Sequence, residues 1–248
     1  MSNIFWYTRI IFFYFIGVIA TASLFPFLCF LHILKVPYEY KYFIGKIYSK
    51  WIIFLAKYIC GLKYQVMGLE KLPQGPAVVM SNHQSFWENF FVQLIIPQHS
   101  WVIKKELLDI PVFGWGLGMV EPIAVDRTNS MSVNQITKSG SDKIKQGLWI
   151  IIFPESTRVK PNEYKKYKPS GVKLAIDNKI PIVLMAHNAG LFWPKAFWIK
   201  KPGMIRVEIL SVIKTDKFVA DDIRSLTADI EQQINQVKDS LVKLDTQI

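Results

Sequence analysis

Cysteine is nearly absent from this sequence, with two residues, Cys29 and Cys60, in 248. Both lie in hydrophobic segments near the N-terminus and outside any CxxC or metal-ligand spacing. That excludes a disulfide framework and leaves them as apolar filler. Acidic residues are scarce, 19 against 30 basic ones, giving a net charge of +11 and a pI near 9.5. Such an excess favours an anionic partner: nucleic acid, a phosphorylated ligand or an acidic membrane surface. Histidine occurs only four times. No internal repeat and no low-complexity tract is present. The motifs H-E-x-x-H and G-x-S-x-G are missing as well, so neither a helical zinc site nor a nucleophile elbow is indicated.

What is abundant is apolar surface. Hydrophobic residues make up 51% of the chain and the mean hydropathy is +0.21, high for a freely soluble protein. Apolar and basic together favour a membrane over nucleic acid. The stretch from Ile10 to Leu34 contains no Asp, Glu, Lys or Arg, and it is long enough to cross a hydrocarbon core. Pro26 within it is tolerated in a membrane helix. The run exceeds the h-region of a signal peptide, and no A-x-A cleavage site follows. Arg9 precedes it, whereas Lys35, Lys41, Lys46, Lys50, Lys57 and Lys63 follow. The positive-inside rule then places the C-terminal bulk in the cytoplasm. From Phe43 to Leu62, Lys46, Lys50 and Lys57 share one helical face, and Ile47, Trp51, Phe54, Leu55 and Tyr58 fill the rest. That pattern suits a helix lying in the interface. The expected organisation is an anchor over residues 1–64 and a globular domain over 65–248. The anchor is either one span plus an interfacial helix or two helices dipped into one leaflet. Two ordinary core helices are the soluble alternative.

The globular part alternates short apolar runs with helical patterns. Strands are expected at Ala77–Met80, Trp101–Ile103, Pro122–Val125, Leu148–Phe153, Ile180–Ala186 and Arg206–Ile213. Helices are expected from Gln84 to Ile95, around Val133 to Ile144, from Ser170 to Asn178 and from Ile223 to Leu241. Asp221 and Asp222 complement the dipole at the start of the last helix. This alternation argues for an α/β sheet covered by helices.

Polar punctuation falls at strand ends, where α/β sheets place their sites. The string SNHQSFWEN, Ser81 to Asn89, puts His83 shortly before Glu88 and directly after an apolar run. Histidine is the side chain best able to take a proton near neutral pH. A nearby carboxylate can fix its tautomer and stabilise the imidazolium. Chance proximity of a histidine and an acid is the bland alternative. Backbone N–H groups at the start of the following helix are candidate donors to an oxyanion. Lys104 and Lys105 end the second strand, Arg127 the third, and Pro154 to Arg158 (PESTR) follow the run LWIIIF. Alternation aims Lys105 at the opposite face from Lys104. His187 and Asn188 end a later strand, where a histidine is more often structural.

With these four blocks in order, the chain resembles the glycerophospholipid acyltransferase family. The family's NHxSxxD block stands here as NHQSFWE, with Glu88 in place of the commoner Asp. Its second block corresponds to Lys104–Leu107, Pro111, Gly114 and Arg127. Its FPEGTR block stands as FPESTR, Phe153 to Arg158, with Ser156 in place of Gly. Its fourth is the proline-led strand IPIVLMAHNAG. The match spans roughly Gln74 to Gly203. The resemblance implies a mixed sheet covered by helices, the glycerol-phosphate acyltransferase-like fold, behind an N-terminal hydrophobic helical membrane anchor. It implies transfer of a fatty acyl group from a thioester to the sn-2 hydroxyl of 1-acyl-glycerol-3-phosphate (lysophosphatidic acid), giving phosphatidic acid.

On that reading His83 is the general base and Glu88 orients it. Lys104 and Arg158 match the phosphate-binding positions, since lysine offers a point charge and arginine a bidentate fork. Asn82, Ser85, Arg127, Glu155, Ser156 and Thr157 are supporting or substrate-contacting. Arg127 serves phosphate or a surface salt bridge. Glu155 pairs with Arg158 or meets acceptor hydroxyls. Ser85 shapes the His83 turn. If position 156 requires φ > 0, serine strains it. The co-substrate is an acyl-CoA or acyl carrier protein thioester, with no other cofactor, no metal and no nucleic acid; the remaining partners are membrane lipids. Lysines of the stretch Lys160 to Lys168 meet phosphates or are merely solvated. Phe192, Trp193, Phe197 and Trp198 are core, acyl-groove lining or an interfacial belt. Two alternatives remain: the same chemistry on another lysolipid such as a lyso-aminolipid, and a non-catalytic basic protein that binds membranes or nucleic acid.

Overall fold

The computed structural model describes residues 3–110, 113–126, 132–195, 198–199 and 201–246. The chain begins with two helices, α1 (Asn3–Ile33) and α2 (Tyr38–Tyr58). They form an antiparallel hairpin. Arg9 donates to the Tyr58 carbonyl at 3.1 Å, so a cation caps the negative end of α2. Midway, the Thr21 and Tyr48 hydroxyls meet at 2.6 Å. Pro26 lies inside α1, which at 1.5 Å per residue is roughly 46 Å long. Its residues Ile4–Ile33 are long and apolar enough to cross a membrane, and few of them are covered by the rest of the protein.

The remainder follows as β1 (Leu62–Met67), β2 (Val78–Ser81), α3 (Trp87–Ile95), β3 (His99–Lys104), α4 (Phe113–Met119), β4 (Ile123–Val125), α5 (Ser132–Lys145), β5 (Trp149–Ile152), α6 (Ser170–Asn178), β6 (Ile182–His187), β7 (Gly203–Ile213) and α7 (Ile223–Thr246). The seven strands form one sheet in the order β1-β7-β6-β2-β5-β3-β4. Every neighbouring pair is parallel except β6 with β7. The sheet is therefore mixed, as the family resemblance implied, with β2 at its centre.

Alternation along the strands assigns the two faces. Val79, Ile151 and Val183 pack with Ile10 and Phe13 of α1, Ile52, Ile53 and Ala56 of α2, and Phe91 and Val92 of α3. Val78, Met80, Ile150 and Ile152 pack with Ile136 of α5, Leu174 of α6, and Leu226, Ile230 and Ile234 of α7. Helices thus cover both faces.

Helix α2 departs from a purely interfacial helix. Tyr42, Ser49, Ile52, Ile53 and Ala56 are buried against the globular part, and Ser49 donates to Gln93 of α3 at 3.3 Å. Its opposite side, with Phe43, Ile47, Phe54 and Tyr58, is exposed. The expected division at residue 64 falls within β1. Among the aromatics with several open readings, Phe192 and Trp193 are core. Trp193 meets Phe13 edge-on at 5.5 Å, and Trp198 stacks on Tyr14 at 5.4 Å. Phe197 lies outside the described residues.

Candidate active site

Three neighbouring parallel strands, β6, β2 and β5, end side by side, and the polar motifs follow their last residues. Two loops meet there and are hydrogen-bonded together. The His83 N–H donates to Glu155 Oε2 at 2.8 Å, and the Val159 N–H donates back to the His83 carbonyl at 2.8 Å. On one side the His83 ring stacks on Phe153, with centroids 4.1 Å apart and planes 13° apart. Backbone and ring are therefore both held before any substrate arrives.

His83 Nδ1 hydrogen-bonds Glu88 Oε1. An ionised carboxylate only accepts, so Nδ1 carries the proton and the Nε2 lone pair remains as the basic site. Burial pushes the His83 pKa below the usual histidine value, against the opposing pull of Glu88, which keeps the ring neutral at pH 7. Glu88 is buried, which alone would favour its neutral form. The nearby His187 and His83 and their hydrogen bonds outweigh that and hold it well below the usual carboxylate range.

The rest of the Glu88 carboxylate is occupied. The Gln84 N–H reaches Oε1 at 3.0 Å, the Ser85 N–H reaches Oε2 at 2.9 Å, and His187 Nε2 lies 3.1 Å from Oε2. The Ser85 hydroxyl accepts the Trp87 N–H at 3.0 Å at the start of α3. These bonds correct the oxyanion expectation. The N–H groups of Gln84, Ser85 and Trp87 hold Glu88 and the turn, and are not available to a tetrahedral intermediate. They also explain why α3 starts at Trp87 and not at Gln84.

Asn82 is buried, and its side-chain amide pairs twice with the His187 backbone, at 2.9 and 3.0 Å. It ties β2 to β6 in a supporting role. Glu155 accepts from the His83 backbone, and no ion pair with Arg158 occurs among the described residues. Burial pushes its pKa up to about 7. Ser156 has φ of +61°, the left-handed conformation that favours glycine, so the serine is strained. Thr157 is half-buried in the same loop.

The Arg158 guanidinium lies over the Phe86 ring, 3.7 Å from its centroid. Its Nε is buried and has no hydrogen-bond partner among the described residues, and burial lowers its pKa. Lys104 ends β3, two strands from β2, which is roughly 10 Å at ordinary strand spacing. It is half-exposed and pairs with Glu106 at 3.1 Å. The structure brings together His83, Glu88, Glu155 and Arg158, and leaves Lys104 at the rim. Arg127 lies outside the described residues. The lysine-rich stretch is pinned to α7. Tyr164 donates to Asp239 at 2.9 Å, and the buried Lys238 donates to the Glu163 carbonyl at 3.3 Å. Lys165, Lys166 and Lys168 remain exposed. Among the described residues no group of three or more His, Cys, Asp or Glu is arranged to hold a metal ion.

Sequence reasoning gave His187 a structural place, yet the structure sets it against Glu88. Its only sequence signal is its position at the end of an apolar strand, and nothing in the sequence places that strand beside β2.

A family model described as Acyltransferase matches residues 63–188. The 1-acyl-sn-glycerol-3-phosphate acyltransferase of Pseudomonas aeruginosa is 41% identical over 175 residues, covering 70% of this chain and 68% of that protein. The enzyme of the same name from Limnanthes douglasii is 30% identical over 195 residues, covering 77% of this chain and 69% of that protein. The crystal structure of the 1-acyl-sn-glycerophosphate (LPA) acyltransferase from Thermotoga maritima matches with a TM-score of 0.77 at 20% identity, over 97% of this chain and 98% of that one. At that identity the likeness establishes the fold.

Proposed function

Because the chain belongs to the acyltransferase family, we propose that it transfers a fatty acyl group from a thioester to the sn-2 hydroxyl of 1-acyl-sn-glycerol-3-phosphate, yielding phosphatidic acid. The observation that carries this reading is the pairing of a neutral, oriented His83 with the half-buried Arg158, which makes no ion pair among the described residues and feels only the more distant charge of Glu88. A partly buried guanidinium without a direct counter-ion is costly, and a phosphate relieves it with charge-assisted hydrogen bonds.

An alcohol is a poor nucleophile until a base takes its proton. His83 Nε2 removes the proton as the acceptor oxygen attacks the thioester carbonyl carbon. The tetrahedral intermediate collapses with cleavage of the C–S bond. The imidazolium, stabilised by Glu88 at Nδ1, returns its proton to the departing thiolate. Acyl group and proton balance, and no acyl-enzyme is formed. The donor is acyl-CoA or acyl carrier protein, and no further cofactor takes part. In this reading Lys104 joins Arg158 as a phosphate contact, leaving Glu106 to reach the headgroup, and the family resemblance assigns Arg127 the same role. The reaction takes place at the cytoplasmic face of the inner membrane, from which both lipids are drawn. The excess of lysines after α1 supports that side.

The test uses purified protein in mixed micelles with lysophosphatidate and either donor, with the product identified by mass. His83→Ala should lower the rate by about 10³-fold or more, the scale for losing a base from such a pair, while folding and membrane association persist. A rate within a few-fold of wild type would sink the mechanism. Replacing Arg158 with Gln should raise KM for lysophosphatidate. No change in KM would favour a phosphate-free lysolipid acceptor.

A further inference from the structure

We propose that His187 is a positioning residue for this reaction, fixing the Glu88 carboxylate through its Nε2–H so that the proton of the Glu88–His83 pair stays on His83. The inference rests on acyl transfer at His83 as proposed above. His187 does not meet the acceptor in this scheme and acts only through Glu88.

A carboxylate offers about four lone-pair sites, two on each oxygen. His83 and the Gln84 N–H fill those on Oε1, and Oε2 takes the Ser85 N–H and a longer share of the Gln84 N–H at 3.3 Å. His187 Nε2, 3.1 Å from Oε2, supplies a donor from outside that turn. The first three belong to the same short turn as Glu88, and a turn can rock together with its own carboxylate. His187 comes from β6, and its backbone is fastened to Asn82 by two hydrogen bonds. It therefore refers the carboxylate to the sheet. Glutamate has one more side-chain torsion than aspartate, so this outside hold restrains a freedom that the shorter acid lacks.

The tautomer is fixed too. The Ala189 N–H points to His187 Nδ1 at 3.3 Å, so Nδ1 accepts and the proton sits on Nε2. That proton is shared between Glu88 and the Asn82 carbonyl at 3.0 Å. The ring is buried at 1% exposure and has no route to act as the base itself.

The chemical consequence concerns the imidazolium. When His83 takes the acceptor proton, its Nδ1 proton faces the Glu88 carboxylate directly. A carboxylate with a full set of donors is a weaker base and leaves that proton on the ring. Around His83 stand Glu88 on its own turn, Glu155 and Arg158 on the loop after β5, and His187 at the end of β6. Losing the His187 donor strengthens Glu88 as a base and raises the pH at which His83 loses its ring proton.

The experiment compares wild type, His187→Leu and His187→Gln, the last of which offers an amide N–H near the place of Nε2. Rates are measured across pH with lysophosphatidate and a thioester donor, and the His83 ring is titrated by NMR. His187→Leu should lower kcat roughly 10- to 100-fold, the usual effect of losing a group that orients a functional side chain. KM for lysophosphatidate should stay within about threefold, because uniform binding is untouched. The acid limb of the rate profile and the His83 titration should both move to higher pH, and His187→Gln should recover most of the rate. An unchanged profile and titration in a folded His187→Leu overturns the proposal, as does a folded His187→Gln no more active than it. If His187→Leu does not fold, His187→Gln decides: near wild-type rate and titration support the donor role, and a slow enzyme with an unmoved titration overturns it. Failure of wild type to form phosphatidic acid with either donor would instead overturn the acyl-transfer reading, and the His83 titration would still decide the His187–Glu88 coupling.

Discussion

Ser156 stands where a side chain is unfavourable, because φ of +61° brings its Cβ against the backbone. Its N–H closes the turn on the Phe153 carbonyl at 2.9 Å, so the conformation is enforced by the loop. Ser156→Gly should raise stability by about 1 kcal/mol, read as a shift in the denaturation midpoint with little change in rate. Glu155 shows a second local tension. Its pKa stands at about 7 against an ordinary value of 4.5, because it is buried. Between these two pH values the unfolded chain gives up its proton before the folded chain does. Stability therefore falls as pH rises through that window and levels off above about 7. Glu155→Gln keeps an oxygen for the His83 N–H and removes the effect. It should be more stable than wild type at pH 8, by at most about 3 kcal/mol, with the gap closing near pH 4 in parallel urea titrations. His83 and Glu88 were legible in the sequence because they share one turn. The task of Asn82 was not, since its hydrogen-bond partner His187 is 105 residues away.

Helices and strands differ in how openly they declare themselves. Strand β5 (WIII) and helix α7 carry the periodicities of a buried strand and an amphipathic helix, and both formed where those patterns stand. Strand β1 was missed because LKYQVM lies at a sheet edge with mostly exposed side chains, so no apolar run marks it. Helix α4 was missed because its FGWGLGM contains three glycines, poor helix formers. Helix α2 has two apolar sides, and a sequence pattern cannot say which one meets protein. Contact with α3 and the sheet settles it for Ile53, and exposure settles it for Phe54. Ile53→Ala should destabilise the fold by about 2–5 kcal/mol. Phe54→Ala should leave thermal stability nearly unchanged and weaken binding to lipid vesicles. Equal effects of the two variants on stability would contradict this division of faces.

For the molecule as a whole, charge and greasiness act through different physics. The net charge of +11 attracts anionic lipid, and that attraction is screened within about 3 Å at 1 M salt. The exposed aromatic and aliphatic side chains of α1 and α2 are indifferent to salt. The protein should therefore float with vesicles after a 1 M salt wash and be released by detergent. Release by salt alone would mean that the hairpin does not enter the bilayer.

The place of β2 between β5 and β6 also sets an order in time. The hairpin is made before the sheet and needs only local contacts. His83 and Glu88 follow soon after, but β2 has neither of its flanking strands yet, since β5 and β6 come much later in the chain. The 105 residues between Asn82 and His187 correspond to roughly 5–20 s of synthesis at ordinary ribosome speed. During that interval the chain carries its reactive motif without the sheet that aims it, while the apolar hairpin has already emerged.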